Sequence, residues 1–406
     1  MSDAAADVLI AGAGPAGSAA AIHLARAGLR VVMVDRAAFP RDKACAEYMS
    51  PETLRLLGRL GVLEQLDRAG GRPLPGLRVV APFGSELLGL FARARCAPYR
   101  SHGLSLSRRV LDAMLVDAAR RAGAEVRERA TVDELLYDGG AVSGAVVRTA
   151  SGRQAVRARL TIGADGLRSK VARRIGAAQR GRPRRVAFVA HVAGVTGLGD
   201  AAEMHVGSGG YVGLNPLGDG TTNVALVVPA ARAPEARGSA ARFLFGEIES
   251  FPGVRGRVPA GGISGRVQAT GPFAAHATRV TANGALLVGD AADFFDPFTG
   301  EGIWSALRGA ELAAAAALPA LLEPNGAAVP AARLAAYRRA RREAFMGKWV
   351  VERLIGWAMW SPRLFDRAVE RLGRRRDMAH TLVGVTGRFV PARQVLDPRF
   401  LARMVL

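Results

Sequence analysis

Four carboxylates stand close together in the segment GDAADFFDPFTGEGI, residues 289–303: Asp290, Asp293, Asp296 and Glu301. Such a group raises the question of a cation site. A calcium loop, however, needs oxygen ligands at every second position and a glycine at the sixth, whereas the three aspartates here are three residues apart. We therefore predict no metal site, and interpret the segment as a turn that opens the alanine-rich helix following it.

A glycine-rich loop near the N-terminus has the spacing of a dinucleotide-binding turn. The apolar run DVLIA, residues 7–11, precedes Gly12, Gly14 and Gly17, and an amphipathic helix pattern follows. In a G-x-G-x-x-G loop the first glycine permits the tight turn, the second lets the backbone approach a pyrophosphate, and the third lets the helix pack close to the strand. The amides at the start of the helix then face the phosphates.

The second predicted strand, RVVMVD, supports the same interpretation. It ends at Asp35, 23 residues after Gly12, where a carboxylate accepts hydrogen bonds from ribose hydroxyls. The negative charge favours FAD or NAD over NADP, whose 2′-phosphate it repels. Residues 39–66 are predicted as a loop and one helix without a strand, which disfavours the regular βα order of an NAD dehydrogenase.

Three later stretches add further motifs. LSRRVLDAML places Arg108 at a helix start, LTIGADGLRS places Asp165 and Gly166 after an apolar strand, and GALLVGD places Gly289 and Asp290 after another. With these motifs the chain resembles the glutathione-reductase-type flavoproteins, in particular the branch of aromatic hydroxylases such as p-hydroxybenzoate hydroxylase, flavin halogenases and geranylgeranyl reductases. The resemblance covers nearly the whole chain.

The resemblance implies FAD as the cofactor. Arg108 is then expected at the phosphates and Asp290 at a ribityl hydroxyl, while the loop from Pro297 to Ile303 lies beside the isoalloxazine ring. Amides at a helix start suit the negative charge of a reduced flavin. The residues predicted to bind the cofactor are Gly12, Gly14, Pro15, Ala16, Gly17, Asp35, Arg36, Cys45, Arg108, Val126, Asp165, Gly166, Ser169, Gly289, Asp290, Pro297, Gly300, Glu301, Gly302 and Ile303.

The order of the motifs and the intervening patterns predict an α/β fold with α+β elements. Residues 184–270 alternate apolar and polar positions as antiparallel strands do, and 77–91 is expected to add an edge to the same sheet. We predict a Rossmann-like FAD-binding domain built from discontinuous segments, an antiparallel substrate domain and a helical C-terminal cap. Their bounds are 1–76, 101–180 and 271–330; then 77–100 and 181–270; then 331–406.

Four residues are candidates for catalysis: Glu47, Tyr48, His191 and Tyr211. Glu47 and Tyr48 follow Cys45 in DKACAEYM, at the place of a Lys-x-Cys-Gly element in the geranylgeranyl reductases. His191 and Tyr211, like Asn215, are polar positions in otherwise apolar strands. No Ser-His-Asp arrangement and no zinc-ligand spacing is found, so hydrolytic and zinc chemistry are not predicted.

Two reaction types fit a flavoprotein of this branch. The prenyl reductases carry a Tyr-x-Trp-x-Phe-Pro pattern, whereas this chain has YVGLNP, with Gly213 and Asn215 in place of the two aromatics. We therefore favour a monooxygenase that uses O2, with NAD(P)H as a transient reductant because no second glycine fingerprint is present. The alternatives are reduction of isoprenoid double bonds and a non-catalytic, membrane-associated flavin binder.

The amino-acid composition limits the classes of binding partner that we predict for the chain. The formal net charge of +21 comes from dispersed arginines, without the basic motif and interleaved aromatics of a nucleic-acid binder. Only Cys45 and Cys96 are present, and neither a signal peptide nor an 18-residue apolar span is found, so we predict a cytoplasmic protein. The sequence makes no prediction of oligomeric state.

The segment from residue 331 onward combines predicted helices, arginines and the tryptophans Trp349, Trp357 and Trp360. Two interpretations remain open: a cap over the substrate cavity, or peripheral contact with the inner face of an anionic membrane. Both suggest a lipophilic substrate, such as an alkylated phenol, a polyketide or an isoprenoid.

Overall fold

The strand that precedes the glycine loop lies in the middle of a mainly parallel sheet. The computed structural model describes residues 6–177, 179–180, 185–273, 275–294, 296–324 and 326–405. Within them the central path of this sheet runs, in spatial order, Thr281–Ala282, Ala285–Leu287, Gly152–Gly163, Ala6–Ala11, Val31–Val34 and Glu125–Arg127. An antiparallel hairpin, Thr131–Asp138 and Ala141–Thr149, extends it from the first half of Gly152–Gly163.

The register of the parallel strands brings distant loops to one edge. Ile10 pairs with Ile162 on one side and with Met33 on the other, and all three side chains are buried. Because parallel strands share their carboxyl edge, the loops at Gly12, Asp35 and residues 164–166 meet there. Backbone hydrogen bonds fix this arrangement, from Gly12 N to Val34 O at 2.8 Å and from Ala164 N to Ala11 O at 2.8 Å.

A second sheet of seven strands stands beyond that edge. In spatial order it contains Ile263–Thr270, Arg185–Ala193, Thr221–Pro229, Gly210–Pro216, Ala202–Gly207, Gly76–Val80 and Glu86–Leu90. Neighbours are antiparallel except Ala202–Gly207 and Gly76–Val80. The segment expected to add an edge therefore supplies the last two strands. One face packs on the helix Ala240–Ile248, and the other faces the carboxyl edge of the parallel sheet.

Helices cover the parallel sheet and the end of the chain. The helix Gly302–Leu321 packs against Pro15–Arg26, which in turn packs against Arg108–Arg121. After residue 331 the structure has helices, as the sequence predicts. The remaining helices of the described chain are Pro51–Arg59, Leu63–Arg68, Lys170–Arg174, Ala335–Ala358, Pro362–Arg374, Arg376–Thr386 and Pro398–Val405. None of the helices described is both long and apolar enough to cross a bilayer.

Residues 39–66 differ from the sequence prediction. They contain two helices, Pro51–Arg59 and part of Leu63–Arg68, separated by the turn at Gly61, and a two-residue strand, Tyr48–Met49. This strand joins Gly103–Ser105 and Arg72–Leu74 in a small sheet. A second small sheet contains Gln179–Arg180, Ala275–Ala277 and Asp293–Phe294. The predicted mixed α/β class is confirmed, whereas the predicted domain bounds stay a prediction.

Candidate active site

A cavity of about 1070 Å³ runs from the carboxyl edge of the parallel sheet to the inner face of the antiparallel sheet. The loops at Gly12, Asp35, Arg108, Asp165 and Asp290 line one end. The structure thus brings together motifs that are nearly 280 residues apart in sequence. Most residues predicted to bind the cofactor line this cavity, namely Gly12, Gly14, Pro15, Ala16, Asp35, Arg36, Cys45, Arg108, Asp165, Gly166, Gly289, Asp290, Pro297, Gly300, Glu301, Gly302 and Ile303.

The three glycines of the first loop have three different surroundings. Gly12 has φ +102°, and a Cβ there would lie 2.4 Å from Ala164 O. At Gly17 a Cβ would lie 1.8 Å from Gly12 O, because the helix packs directly on the loop. At Gly14 the nearest atoms to a Cβ are guanidinium nitrogens of Arg41 and Arg108, at 3.7 and 3.9 Å. Gly14 therefore leaves an open cradle at the start of the helix Pro15–Arg26.

Cationic side chains surround this cradle. Two of them pair with the buried carboxylate of Asp112. Arg108 donates to it from Nε at 2.7 Å and from Nη2 at 2.8 Å, and Arg41 Nη1 lies 3.1 Å from its Oδ2. Lys43 and Arg36 also line the cavity. Burial lowers the pKa of Lys43, and the neighbouring Arg108 lowers it further, while Asp290 opposes both. Such a group of cations suits a diphosphate.

Two aspartates are oriented by backbone amides. Asp35 accepts hydrogen bonds from Ala13 N through Oδ2 and from Ala37 N through Oδ1, both at 2.8 Å. Asp165 Oδ2 accepts from Lys170 N at 2.6 Å, while its Oδ1 is buried and finds no hydrogen-bond partner among the described residues. Burial raises the pKa of Asp165. A buried acceptor left over at the cavity wall fits a hydroxyl or amide donor from a bound cofactor.

The four acids of the turn at 289–303 point to different partners. Asp293 binds Arg341 and accepts from Trp349 Nε1 at 2.9 Å. Asp296 binds Arg185 Nη1 at 3.1 Å and accepts from the Tyr211 hydroxyl at 2.7 Å. No cluster of three or more His, Cys, Asp or Glu side chains in the described chain is arranged to hold a metal.

Asp290 is the acid of this turn that faces the cation cluster. Burial raises its pKa, and the charges of Lys43 and Arg108 act against that effect. The preceding Gly289 has φ +58°, and a Cβ there would lie 2.9 Å from Ala16 Cβ. The turn therefore packs closely on the first helix, and this packing holds Asp290 beside the glycine loop.

The turn after Asp296 forms a flat seat for a ring. Pro297–Thr299 is one turn of 3₁₀ helix, closed by Gly300 at φ +69°, and the helix Gly302–Leu321 begins immediately after it. A Cβ on Gly300 would lie 2.7 Å from Tyr48 Cδ1, whereas one on Gly302 would meet open space. The free amides of the helix start therefore face the cavity without obstruction from side chains.

Glu301 lies beneath this seat in a buried charged cluster. Its Oε2 accepts from Ser50 Oγ at 3.4 Å and lies 3.9 Å from Arg388 Nε. Burial raises the pKa of Glu301 to about 7, and burial lowers the pKa of Arg388. Nearby, Lys348 Nζ pairs with a glutamate, Glu352, at 2.8 Å.

Sequence reasoning missed Arg388, Lys348 and Glu352 because each lies on the C-terminal segment, 47 to 87 residues after Glu301. Lys348 and Glu352 are four residues apart on one helix, which is a pattern typical of a surface ion pair. Their role at the cavity follows only from the packing of that helix. Thr299 Oγ1, which donates to Glu352 Oε1 at 2.9 Å, ties it to the ring seat.

The antiparallel sheet supplies an apolar wall at the other end of the cavity. Tyr48 and Tyr211 stand where the wall meets the ring seat, and burial raises the pKa of both, so both keep their protons at neutral pH. Most of the wall residues are apolar, namely Leu77, Ala187, Val189, Ala202, Met204, Gly213, Ala225, Val227, Ala269 and Phe273. The same sheet also contributes Glu203, Asn215, Arg266 and Thr270 to the lining.

The structure places Glu47 and His191 differently from the sequence prediction. Neither belongs to the cavity wall that the described residues form. Glu47 has φ +58°, and its Oε1 accepts from Arg108 N at 2.7 Å while Oε2 binds His191 Nε2 at 2.6 Å and Asn223 Nδ2 at 2.9 Å. With both oxygens engaged, Glu47 holds the loop rather than facing a substrate.

Three residues predicted to bind the cofactor also lie outside the cavity lining that the described residues form. Gly17 is packed against Gly12, as described above. Ser169 caps the helix Lys170–Arg174 by accepting from Ala172 N at 2.9 Å. Val126 pairs with Met33 in the sheet and packs on the core. Their positions support the loops that line the cavity.

Comparison with known proteins agrees with this geometry. A family model described as "FAD binding domain" matches residues 5–349. The chain belongs to this FAD-binding family. It is an FAD-dependent oxidoreductase, and the glycine cradle, the cation cluster and the unpartnered Asp165 oxygen fit the diphosphate and ribose of that cofactor.

Relatives of similar sequence include two proteins named as reductases. The digeranylgeranylglycerophospholipid reductase of Methanosarcina acetivorans is 31% identical over 330 residues, which is 78% of this chain and 75% of the relative. Digeranylgeranylglycerophospholipid reductase 1 of Methanothermobacter thermautotrophicus is 33% identical over 348 residues, 83% of this chain and 82% of the relative.

Solved structures share the fold across most of the chain. The flavin-dependent brominase Bmp2 has a TM-score of 0.80 at 21% identity and covers 98% of this chain and 100% of its own. A geranylgeranyl bacteriochlorophyll reductase-like protein from Thermoplasma acidophilum has a TM-score of 0.71 at 22% identity, covering 99% and 96%. These likenesses establish the fold, and the predicted resemblance to this branch is confirmed.

Proposed function

We propose that this protein reduces carbon–carbon double bonds of an isoprenoid chain carried by a lipophilic molecule. The relatives at 31% and 33% identity are named as reductases of geranylgeranyl lipids, and they do not support the monooxygenase preference drawn from the sequence. The observation that carries the proposal is the apolar wall of small residues opposite the ring seat. An uncharged, branched hydrocarbon chain suits such a wall because the hydrocarbon has no polar group that would need a hydrogen-bond partner there.

The departure from the aromatic pattern of the prenyl reductases has a structural consequence. At Gly213 a Cβ would have only Met204 Cε and two atoms of Ala225 near 4 Å, so glycine widens the wall where the other enzymes carry an aromatic side chain. Asn215 donates from Nδ2 to Ala46 O at 2.7 Å and thereby holds the loop before Tyr48. The motif difference therefore favours a wide cavity and is compatible with a bulky prenyl chain.

FAD, when bound and reduced, would supply a hydride to one carbon of a double bond. The chain's own part begins with binding: Arg41, Lys43 and Arg108 offset the charge of the diphosphate, and the amides after Gly300 face the ring. We propose NAD(P)H as the electron donor. The apolar wall excludes water from the reacting carbons.

The second carbon needs a proton, and Tyr48 is the residue that we propose to donate it. Its ring lies under Gly300 at the ring seat, and its raised pKa keeps the hydroxyl protonated. Glu301 lies near enough to raise that pKa further, and its own pKa of about 7 makes it a proton reservoir shielded from solvent. Tyr211 also faces the cavity, but its hydroxyl proton is engaged by Asp296 at 2.7 Å.

A single-turnover experiment tests the proposal. The FAD-loaded protein is reduced with dithionite under nitrogen and mixed with a detergent-dispersed geranylgeranyl ether lipid, and the lipid is analysed by mass spectrometry. We expect a gain of about 2 Da for each reduced bond in H2O and of about 4 Da in D2O, because dithionite supplies only electrons and both added hydrogens then come from solvent. A gain of about 16 Da in air, coupled to substrate-stimulated NAD(P)H oxidation, would instead establish a monooxygenase.

The variant Tyr48→Phe isolates the proton step. We expect reduction of the lipid to slow by about 10²–10⁴-fold, as for loss of a general acid, while FAD affinity stays unchanged. Tyr211→Phe is the matched control, because the same atom is removed at another point of the same cavity. Equal rates for Tyr48→Phe and the wild type would exclude Tyr48 as the donor.

A further inference from the structure

The bend between the helices Ala335–Ala358 and Pro362–Arg374 presents large apolar side chains to solvent. Trp357 is 69% exposed, Trp360 is 74% exposed and Leu354 is 41% exposed. Indole side chains are mostly buried in folded proteins because they have so much apolar surface. Two exposed tryptophans at one bend therefore indicate a surface that is covered by something else.

A third aromatic side chain is fixed beside the same helix pair. Phe83, in the turn between the strands Gly76–Val80 and Glu86–Leu90, is 66% exposed. Its backbone amide donates to Asp366 Oδ1 at 2.9 Å, and Ser85 Oγ donates to Asp366 Oδ2 at 2.7 Å. Asp366 lies in the second turn of the helix that follows the bend. The turn at Phe83 is therefore held against the helix Pro362–Arg374 by two hydrogen bonds.

The charges around the bend are positive. Arg353, Arg363 and Arg367 are exposed, and Asp366, which is the one acid in the sequence between residues 353 and 367, is engaged by the turn at Phe83. The chain as a whole has a formal net charge of +21. Exposed tryptophans flanked by arginines are the pattern of a surface that lies in the interface of an anionic bilayer.

The inner side of the same bend contacts the cavity. Ala358 and Met359 pack in one apolar cluster with Tyr211, Phe298 and Phe365. The rings of Tyr211 and Phe298 are 5.2 Å apart, and those of Phe298 and Phe365 are 6.4 Å apart. Tyr211 and Phe298 line the cavity. The apolar cluster that lines the substrate end of the cavity therefore extends to the inner side of the bend.

We propose that the tryptophan bend, residues 353–367 together with Phe83, docks on an anionic membrane and admits the lipophilic substrate from it. Trp357, Trp360 and Phe83 enter the headgroup boundary, and Arg363 and Arg367 pair with lipid phosphates. The route from bilayer to cavity passes the apolar layer of Phe298 and Phe365. The route rests on the proposed function, whereas the docking itself does not.

Sedimentation of the FAD-loaded full chain with vesicles tests the docking. The vesicles contain phosphatidylcholine and phosphatidylglycerol at a ratio of about 7:3, and pure phosphatidylcholine vesicles serve for comparison. We expect strong binding to the anionic vesicles that weakens with salt, and a blue shift of tryptophan emission. Trp357→Ser with Trp360→Ser should lower the partition coefficient by at least about tenfold. Arg363→Gln with Arg367→Gln should lower it by roughly fivefold for each arginine.

Leu322→Ser is the matched control, since Leu322 is 60% exposed at the end of another helix and its loss should leave vesicle binding unchanged. Flavin absorbance verifies that each variant is folded. Equal binding of the tryptophan variant and the wild type, or equal binding to neutral vesicles, would overturn the proposal. A wild-type dimer that the tryptophan variant converts to a monomer would also overturn it, because a second copy would then cover the bend.

Activity separates the two proposals. If docking occurs and the function is also right, the tryptophan variant reduces a detergent-dispersed lipid at the wild-type rate but reduces a vesicle-embedded lipid at least about tenfold more slowly. Vesicle binding without any reduction would refute the proposed function and leave the docking intact. Reduction of both lipids at wild-type rates by the variant would refute the docking and leave the function intact.

Discussion

Glu47 offers a sharp test of how the loop before Tyr48 is held in place. Its backbone has φ +58°, a region that costs a non-glycine residue about 1–2 kcal/mol. The side chain compensates for this cost through its bonds to Arg108 N, His191 and Asn223. The substitution Glu47→Ala removes these bonds and keeps the unfavourable backbone, whereas Glu47→Gly removes the bonds and also relieves the backbone.

The magnitudes follow from the contacts. Each hydrogen bond to a charged group contributes about 1.5–3 kcal/mol, and the buried amide of Arg108 would be left unpaired, while Asn223 Nδ2 would keep its bond to Cys45 O. We expect Glu47→Ala to lower the free energy of unfolding by about 3–5 kcal/mol. Glu47→Gly should be more stable than Glu47→Ala by roughly 1 kcal/mol, once the greater freedom of glycine in the unfolded chain is subtracted.

The assay is urea unfolding followed by tryptophan fluorescence, together with titration of each variant with FAD. The midpoints should rank wild type, then Glu47→Gly, then Glu47→Ala. Both variants should bind FAD more weakly, because Ala46, Tyr48 and Arg108 line the cavity and depend on Glu47 for their position. An alanine variant at least as stable as the glycine variant would refute the reasoning, since the backbone would then carry no strain.

Three more predictions concern single sites. The hydrogen bond that His191 donates to the Glu47 carboxylate raises the pKa of His191, so the pair is fully stabilising below the unfolded value of about 6.5. The urea midpoints of wild type and His191→Gln should therefore converge as the pH rises through the raised pKa. Burial raises the pKa of Glu301 from its ordinary value of 4.5 to about 7. Between these two pH values the free energy of unfolding of the wild type should therefore fall with rising pH relative to that of Glu301→Gln, as urea midpoints would show. Gly14→Val fills the open cradle, and isothermal titration should give an FAD dissociation constant raised by at least about tenfold, with an unchanged urea midpoint of the apoprotein.

Much of the cofactor end could be predicted from the sequence because its chemistry is local. The glycine loop, Asp35 and the turn after Asp165 each require particular residue types at fixed spacing beside a strand end, so the pattern survives in the sequence. The resemblance to glutathione-reductase-type flavoproteins then indicated that these separate motifs bind one FAD molecule.

The roles of the polar strand residues were decided only by the tertiary structure. His191, Asn215 and Asn223 stand on the same face of the antiparallel sheet as the apolar wall, but at its end, where all three bond the loop of residues 45–47. The period-two alternation of a strand indicates which face of the sheet a side chain lies on, but not how far along that face it lies. A residue that holds a loop and a catalytic residue therefore look alike in the sequence.

The C-terminal segment illustrates the same limit. Its sequence determines that it is helical, basic and rich in tryptophan, because those properties belong to each residue and its near neighbours. Only the packing of the chain brings Lys348, Glu352 and Arg388 to the ring seat while it leaves Trp357 and Trp360 exposed. Contacts between residues far apart in sequence depend on how whole elements stack, and no local pattern records that arrangement.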